Sequence, residues 1–272
     1  MMAHSRSVQT LMDMRALENR MTTTKRKAAS TTMADSERKD LILDQAAILF
    51  ATKEFDGTSM RDIARLAGVS QSLIHYHYES KEQLFEAVYD RHMKEMNQMR
   101  ISSIRSFLEM KNAKGDKDIE VLIGILIRPW INLVTSENEP SREFAKFVIR
   151  SAYHDDDWSR TVALKYFNEV QDLGVSAFLE IVPEFDRSMA FRAYFMMLSM
   201  FYMWLSAPKR LSDLAHNDED MKNTDLLLRH GVTFAAAGIR ALRSNCRASR
   251  ASAAADRRQK KPSTARPLSR TA

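Results

Sequence analysis

The chain has 272 residues, 44% of them hydrophobic, which is enough for one large or two smaller domains with a buried core. Its 7 glycines and 6 prolines are few for this length, which favours long helices over many short strands. A single cysteine, Cys246, excludes an intramolecular disulfide and fits a reducing cytosol.

The longest apolar runs, 121–127 and 196–205, are shorter than the roughly 20 residues that span a bilayer. The N-terminus also lacks the apolar stretch of a secretory signal, so we expect a soluble, cytoplasmic protein with no membrane partner. The net charge of +6 is concentrated at the two ends of the chain. Because both ends are rich in Ser, Thr and Ala, we predict disordered tails over 1–35 and 246–272, the second one basic.

The first predicted helix starts near Ser36. Its apolar residues recur at the spacing of one helical face: Ile42, Ala46, Leu49 and Phe50. We expect this helix to end near Phe55, with Gly57 taking a left-handed conformation at the turn.

A second helix is predicted to start at Thr58 or Ser59, since either hydroxyl suits an N-cap. Gly68 then makes a sharp turn, Val69 fills the corner and Ser70 caps a third helix. A small residue, a glycine and a short apolar residue at this spacing are typical of a helix-turn-helix.

In the third helix, Ile74 and Tyr78 lie four residues apart and are predicted to face inward. The other faces carry two more pairs at the same spacing: Gln71 with His75, and Ser72 with Tyr76. In a helix-turn-helix the N-terminal part of this helix enters the DNA major groove, so we expect these pairs to face DNA.

The segment from Thr58 to Phe85 resembles the signature of the TetR (tetracycline-repressor-like) family almost residue for residue. It contains T-S-M-R-D-I-A, A-G-V-S and S-K-E-x-L in the family's order and spacing. Three positions depart from the family pattern: Glu54 stands where glycine is common, His75 replaces a tyrosine and Tyr78 replaces a phenylalanine. The change at His75 lies on the predicted DNA face.

This resemblance implies a role in DNA binding for nine residues. Base-edge contacts are implied for Gln71, Ser72 and Leu73, with His75 close by, and phosphate contacts for Ser59, Arg61, Tyr76, His77 and Lys81. Elementary chemistry agrees, because glutamine can pair with adenine through two hydrogen bonds and leucine can contact a thymine methyl group. Lys81 adds a cation beside the free N–H groups of the next helix, and both attract phosphate.

Two other kinds of site are rejected. His75 and His77 lie two residues apart on a helix, so their side chains diverge. No cysteine or acidic third ligand stands near them, and we therefore predict no metal site. No nucleophile, base and orienting group occur together, so we predict neither an enzyme nor a cofactor.

Beyond position 83 the pattern predicts six more helices, over about 84–111, 117–135, 140–153, 155–183, 186–206 and 218–243. Pro129 is expected to kink the second of these. The predicted fold is therefore all-α, with a three-helix N-terminal helix-turn-helix DNA-binding domain over 36–82. A six-helix ligand-binding and dimerisation domain is predicted over 83–245. Nine helices resemble the TetR-family plan.

The helix predicted over 189–206 is rich in methionine and aromatic residues and is apolar nearly all round. A monomer surface would not tolerate such a helix, so we expect it to pack on a second copy as well as in its own domain. With 226–242 it would form the four-helix homodimer interface that the resemblance implies. Two-fold symmetry would then match a palindromic operator in double-stranded DNA.

The resemblance also implies an effector pocket between helices of the C-terminal domain. The residues expected to line it are Phe107, Ile127, Trp130, Phe147, Tyr153, Phe167 and Met196, with ordinary core packing as the alternative for each. Their chemistry suits an apolar or aromatic ligand, and Arg128 is the charged residue that stands out near them.

The leading hypothesis is a sequence-specific transcriptional repressor that a small apolar or aromatic effector releases from its operator. The alternative is a DNA-binding regulator without a small-molecule effector, which acts as an activator or under the control of a protein partner.

Overall fold

The computed structural model describes residues 35–110, 117–216 and 218–259, and every regular element in these ranges is a helix. The described chain forms two compact units. The first runs to His92 and includes Asn138–Phe144, and the second comprises Met93–Glu137 and the residues from Ala145 onward. No helix in these ranges is long and apolar enough to cross a membrane.

The chain begins with α1 (35–53), α2 (Met60–Ala67), α3 (Gln71–His77) and α4 (Lys81–His92). It continues with α5 (Lys94–Glu109), α6 (Lys117–Val134), α7 (Glu139–Ser151), α8 (Asp157–Tyr166) and α9 (Asn168–Ile181). The last helices are α10 (Arg187–Ser206), α11 (Pro208–Leu214), a 3-10 turn (Glu219–Lys222) and α12 (Thr224–Gln259). The unit boundaries fall between α4 and α5, between α6 and α7, and within α7.

The first unit has the core that the apolar periodicity predicts, because the predicted inward residues of α1, α2 and α3 are all buried. Aromatic rings form its centre. Phe50 stacks on Phe55 with 5.7 Å between ring centroids, and Phe85 meets these rings edge-on at 5.3 and 5.7 Å. Each such pair contributes about 0.5–1.5 kcal/mol beyond the burial of its area.

We expected Gly57 to adopt the left-handed conformation in the turn between α1 and α2, and this prediction is wrong. Glu54 takes the left-handed conformation instead, with φ 62°. Gly57 is needed for space, because a Cβ atom there would lie 2.2 Å from the carbonyl oxygen of Lys53. At the next turn Gly68 does adopt a left-handed conformation, with φ 64°, and ends α2 as predicted.

The described residues form nine α-helices after α3 rather than six. Two predicted long helices are each broken, between α4 and α5 and between α8 and α9, and α11 is additional. The helix predicted to end near 243 continues to Gln259, so the prediction of disorder from 246 is wrong as far as that residue. Residues 260–272 and the predicted tail up to 34 lie outside the described residues.

The second unit is built around α6, which packs against α5, α9, α10 and α12 and continues through Pro129. Close approach of α9 and α10 requires Gly174, because a Cβ atom there would lie 2.5 Å from the ring of Tyr194. Nη2 of Arg240 in α12 donates to both carboxylate oxygens of Glu120 in α6, at 2.6 and 2.8 Å. This charge-assisted contact joins the two helices.

His92, in the last turn of α4, is buried in the first unit. Its Nδ1 lies 2.9 Å from the hydroxyl of Ser141, and its Nε2 lies 3.6 Å from a carboxylate oxygen of Asp44. Burial lowers the pKa of His92 to about 4, although the Asp44 carboxylate acts in the opposite direction and Arg91 adds to the lowering. The imidazole is therefore neutral at pH 7.

We predict that the folding stability falls as the pH drops from about 6.5, the pKa of an exposed histidine, towards 4. Between these values the unfolded chain binds a proton at His92 that the folded protein does not, so the free energy of unfolding decreases by up to about 3 kcal/mol. His92→Gln should remove this part of the pH dependence. Urea unfolding of both proteins over this range measures it, and parallel stability curves for the two would contradict the prediction.

Candidate nucleic-acid interface and interhelical cavity

The helix α3 is anchored from one side only. The hydroxyl of Ser70 caps its N-terminus by accepting from the backbone N–H of Leu73, at 3.2 Å. Ile74 is fully buried and Tyr78 nearly so, as predicted. The core thus holds one face of α3 and leaves the opposite face in solvent.

That exposed face carries hydrogen-bonding side chains. Gln71, Ser72, His75 and Tyr76 are all exposed, and Tyr76 retains 80% of its accessible surface. The Gln71 amide nitrogen lies 3.3 Å from His75 Nε2, so the predicted i, i+4 pair forms. Amide, hydroxyl, imidazole and phenol groups are the types that hydrogen-bond to base edges and phosphates.

Two other residues of α3 are less available than the resemblance implied. Leu73 is half-buried. The side chain of His77 is only 10% exposed, and its Nε2 lies 3.5 Å from a carboxylate oxygen of Asp35 at the start of α1. His77 therefore faces α1, and the structure does not bring it together with the exposed group.

Lys81 is engaged inside the protein. Its ammonium donates to the carbonyl oxygens of Phe55, at 2.8 Å, and Thr58, at 3.2 Å, and stands 4.3 Å from the centroid of the Phe55 ring. These contacts join the first turn of α4 to the segment between α1 and α2. Lys81 thus positions the helix-turn-helix, a role that the sequence did not reveal.

The N-terminus of α2 presents Ser59 and Arg61. Ser59 is the N-cap: its hydroxyl accepts from the backbone N–H of Asp62 and donates to the Asp62 carboxylate, both at 3.1 Å. That hydrogen bond, with one from Lys53, lowers the pKa of Asp62. Arg61 is exposed and forms no ion pair with any described residue, so its charge is available to an anion.

A cavity of about 140 Å³ lies in the second unit, between α5, α6, α7, α8, α9 and α10. Trp130 and Phe167 line it, as expected, but the other five predicted residues do not. Phe107, Ile127 and Phe147 are core residues that pack on other side chains, which was the alternative for each of them.

The remaining two predicted lining residues are exposed. Tyr153 is half-exposed, and its hydroxyl donates to the carbonyl oxygen of Ser199 at 3.1 Å. Met196 is 62% exposed and lies on the outer face of α10. Arg128 is also exposed and does not line the cavity.

The charged residue of the cavity is Arg100, which sequence reasoning missed. It is 1% exposed, and Nη1 donates to the side-chain oxygen of Asn97 at 3.2 Å. A signal was present: Met96, Arg100 and Ile104 recur every four residues, so Arg100 occupies a position on the apolar face of α5. An arginine at such a position indicates a buried charge.

The outer faces of α10 and α12 form an apolar surface, which we call the α10/α12 surface. Its exposed residues are Met196, Met203 and Phe234. Phe234 is 73% exposed, and hollows of about 500 and 320 Å³ beside it are lined mainly by apolar side chains of these two helices. Exposed apolar surface of this extent marks an interaction site.

Two family models match the chain. One is described as "Bacterial regulatory proteins, tetR family" and matches residues 42–88, and the other as "Tetracyclin repressor-like, C-terminal domain" and matches residues 125–238. The first match covers α2, α3 and most of α4, and the second includes most residues of the cavity and of the α10/α12 surface.

The chain is also similar to curated regulators and to solved structures. The biofilm operon icaADBC HTH-type negative transcriptional regulator IcaR of Staphylococcus aureus is 22% identical over 150 residues, which cover 55% of this chain and 70% of that protein. The protein of the same description from Staphylococcus epidermidis is 38% identical over 47 residues, 17% of this chain and 25% of its own length. A solved structure from Pseudomonas aeruginosa PAO1 has a TM-score of 0.50 and 19% identity, covers 77% of this chain and 91% of its own, and so shares the fold.

We predict that Lys81→Met lowers the free energy of unfolding by about 1.5–3 kcal/mol, because it removes charge-assisted hydrogen bonds to two carbonyl groups. Lys209→Met, at an exposed lysine, is the matched control and should change the free energy of unfolding by less than about 0.5 kcal/mol. Denaturant unfolding measures the stability of both variants. Equal stability of the two variants would show that the Lys81 contacts contribute nothing.

Proposed function

This chain belongs to the tetR family of bacterial regulatory proteins, and we propose that it binds a specific operator as a homodimer and represses transcription until a small molecule releases it. The observation that carries the proposal is the exposed face of α3, where four hydrogen-bonding side chains stand on a helix whose other face is buried. Bacterial DNA lies in the cytoplasm, so the proposal includes a cytoplasmic location.

Within this proposal, Gln71, Ser72 and His75 contact base edges in the major groove, with Leu73 beside them. Ser59, Arg61 and Tyr76 contact phosphates and thereby set the register of α3 on the duplex. His77 and Lys81 support this surface through their contacts with α1 and with the α1–α2 segment. Either would have to give up those contacts to reach a phosphate.

The α10/α12 surface is the proposed homodimer interface. Its exposed aromatic and methionine side chains would be unfavourable in a monomer, and a second copy of the same surface would cover them. Two-fold symmetry would present two α3 helices to two half-sites, so the operator should be a palindrome.

Repression, rather than activation, is proposed because the Staphylococcus relatives are described as negative transcriptional regulators. Release by a small molecule is proposed because the second unit holds a cavity with a buried charged group. The alternative is a regulator without a small-molecule effector, which acts as an activator or under the control of a protein partner, and the size of that cavity favours the absence of an effector. The cavity volume of about 140 Å³ is below the roughly 300 Å³ at which drug-sized ligand sites begin.

We predict that Gln71→Ala relaxes the base preference at one operator position, by about 1–3 kcal/mol, because a two-point contact to a base is lost. A binding selection on random duplexes, with sequencing of the bound fraction, measures the preference of each variant. Gln98→Ala, at an exposed glutamine of the second unit, is the matched control and should leave it intact.

Arg61→Ala, measured in the same selection, tests a phosphate contact instead of a base contact. Loss of one phosphate contact in each subunit of the dimer should weaken all sequences alike and reduce the slope of log affinity against log salt by about 1.8, about 0.9 for each contact. If Gln71→Ala kept the wild-type preference at every position, Gln71 would have no part in base recognition. If the wild type selected no sequence, the proposed function would be wrong.

We predict that Phe234→Glu converts a dimer into a monomer, because it places a charge at the centre of the proposed interface. Leu164→Glu, at an equally exposed leucine of α8, is the control and should remain dimeric. Sedimentation at micromolar concentration measures the state, and circular dichroism checks that both variants fold. A monomeric wild type would overturn the assignment of this surface.

A further inference from the structure

Arg100 is a buried positive charge without a negative partner in the described part of the chain. No acidic side chain forms an ion pair with it, its Nε has no hydrogen-bond acceptor, and the Asn97 oxygen bound to Nη1 is neutral. The guanidinium also lies 5.5 Å from the ring of Trp130. An arginine cannot become neutral by losing its proton, so an uncompensated charge at this depth is unfavourable for the empty protein.

A second hydrogen-bond donor of the cavity is also unsatisfied. The indole Nε1 of Trp130 is buried and has no acceptor among the described residues. Tyr194 and Tyr202 line the same cavity, and burial raises the pKa of both phenols. The charge of Arg100 offsets part of the effect at both residues, and a hydrogen bond from Arg100 adds to this at Tyr194. These hydroxyls therefore stay protonated and can donate.

Apart from the neutral amide of Gln171, the rest of the lining is apolar. No aspartate or glutamate borders the cavity, and its hydrophobic wall is formed by Val148, Phe167, Val170, Phe195 and Leu198. The volume of about 140 Å³ is close to the roughly 150 Å³ of an apolar cavity that accommodates benzene. The cavity thus combines an excess of donors, one positive charge and room for a single ring.

We propose that this cavity binds a small organic acid, whose carboxylate pairs with Arg100 and whose apolar body, about the size of a benzene ring, contacts the hydrophobic wall. A carboxylate supplies both the charge that Arg100 lacks and the oxygen acceptors that the buried donors lack. The inference deepens the proposed function and rests on it in one respect: the acid would be the effector that releases the operator.

Benzoate is the probe, and benzyl alcohol, which has the same ring without the charge, is its control. Calorimetry of the full-length protein without DNA should give a benzoate affinity that exceeds that of benzyl alcohol by about 10- to 100-fold, the effect of a charged hydrogen-bonded contact. Arg100→Met should abolish this preference. Arg105→Met, at the exposed arginine of α5 that pairs with Glu169, should leave it unchanged.

Equal affinity for the two compounds, no detectable benzoate binding at millimolar concentration, or a preference that survives in Arg100→Met would each overturn the inference. If Arg100→Met does not fold, Arg100→Lys replaces it, since it keeps the charge and loses the two-point geometry. We expect Arg100→Lys to bind benzoate about tenfold more weakly than the wild type. Unchanged affinity would overturn the inference.

The calorimetry contains no DNA, so a failure of the proposed DNA-binding function would not change the measured affinity for benzoate. A mobility-shift experiment on the selected operator tests the function, and benzoate should release the protein from it. Calorimetric binding of benzoate without any effect on the operator complex would support the site and contradict its role as the effector site.

Discussion

The hydrogen bonds of the Lys81 ammonium to the carbonyl groups of Phe55 and Thr58 are the contact on which the arrangement of the first unit depends. They connect the start of α4 to the turn where Glu54 adopts a left-handed conformation, which is unfavourable by about 1–2 kcal/mol for a residue with a Cβ atom. The same turn contains Thr58, whose buried hydroxyl lies 2.7 Å from the carbonyl oxygen of Glu54. Because this segment leads directly into α2, its geometry sets where α2 and α3 begin.

The two units differ in whether a positively charged side chain is exposed to water or buried. In the first unit the exposed cation Arg61 and the exposed polar face of α3 remain in water, where they are available to a nucleic acid. In the second unit Arg100 is removed from water and has no negative partner among the described residues. Burial of an unpaired charge reduces stability, and the proposed organic acid would supply the missing negative charge.

The sequence predicted the helix-turn-helix and the exposed group of Gln71, Ser72, His75 and Tyr76 correctly, because these features depend on local spacing. Burial of Ile74 four residues before Tyr78 is enough to orient α3. The sequence did not reveal that His77 faces Asp35, or that Phe107 and Ile127 pack away from the cavity. Periodicity identifies an apolar residue as inward-facing, but it does not distinguish a core position from the wall of a cavity.

The sequence by itself determined the helical class, the cap at Ser70 and the inward faces of the first three helices, since caps and faces involve residues at most four positions apart. It left the cap of α2 between Thr58 and Ser59, and the structure places it at Ser59. Only the tertiary structure decided where the long helices break. At Phe167, for example, the carbonyl of the preceding Tyr166 accepts from the side chain of Asn97, 69 residues away. It also decided the partners of Lys81, 26 residues from Phe55, and the burial of Arg100. Such contacts join residues distant in the chain, and no local pattern records which distant residues will meet.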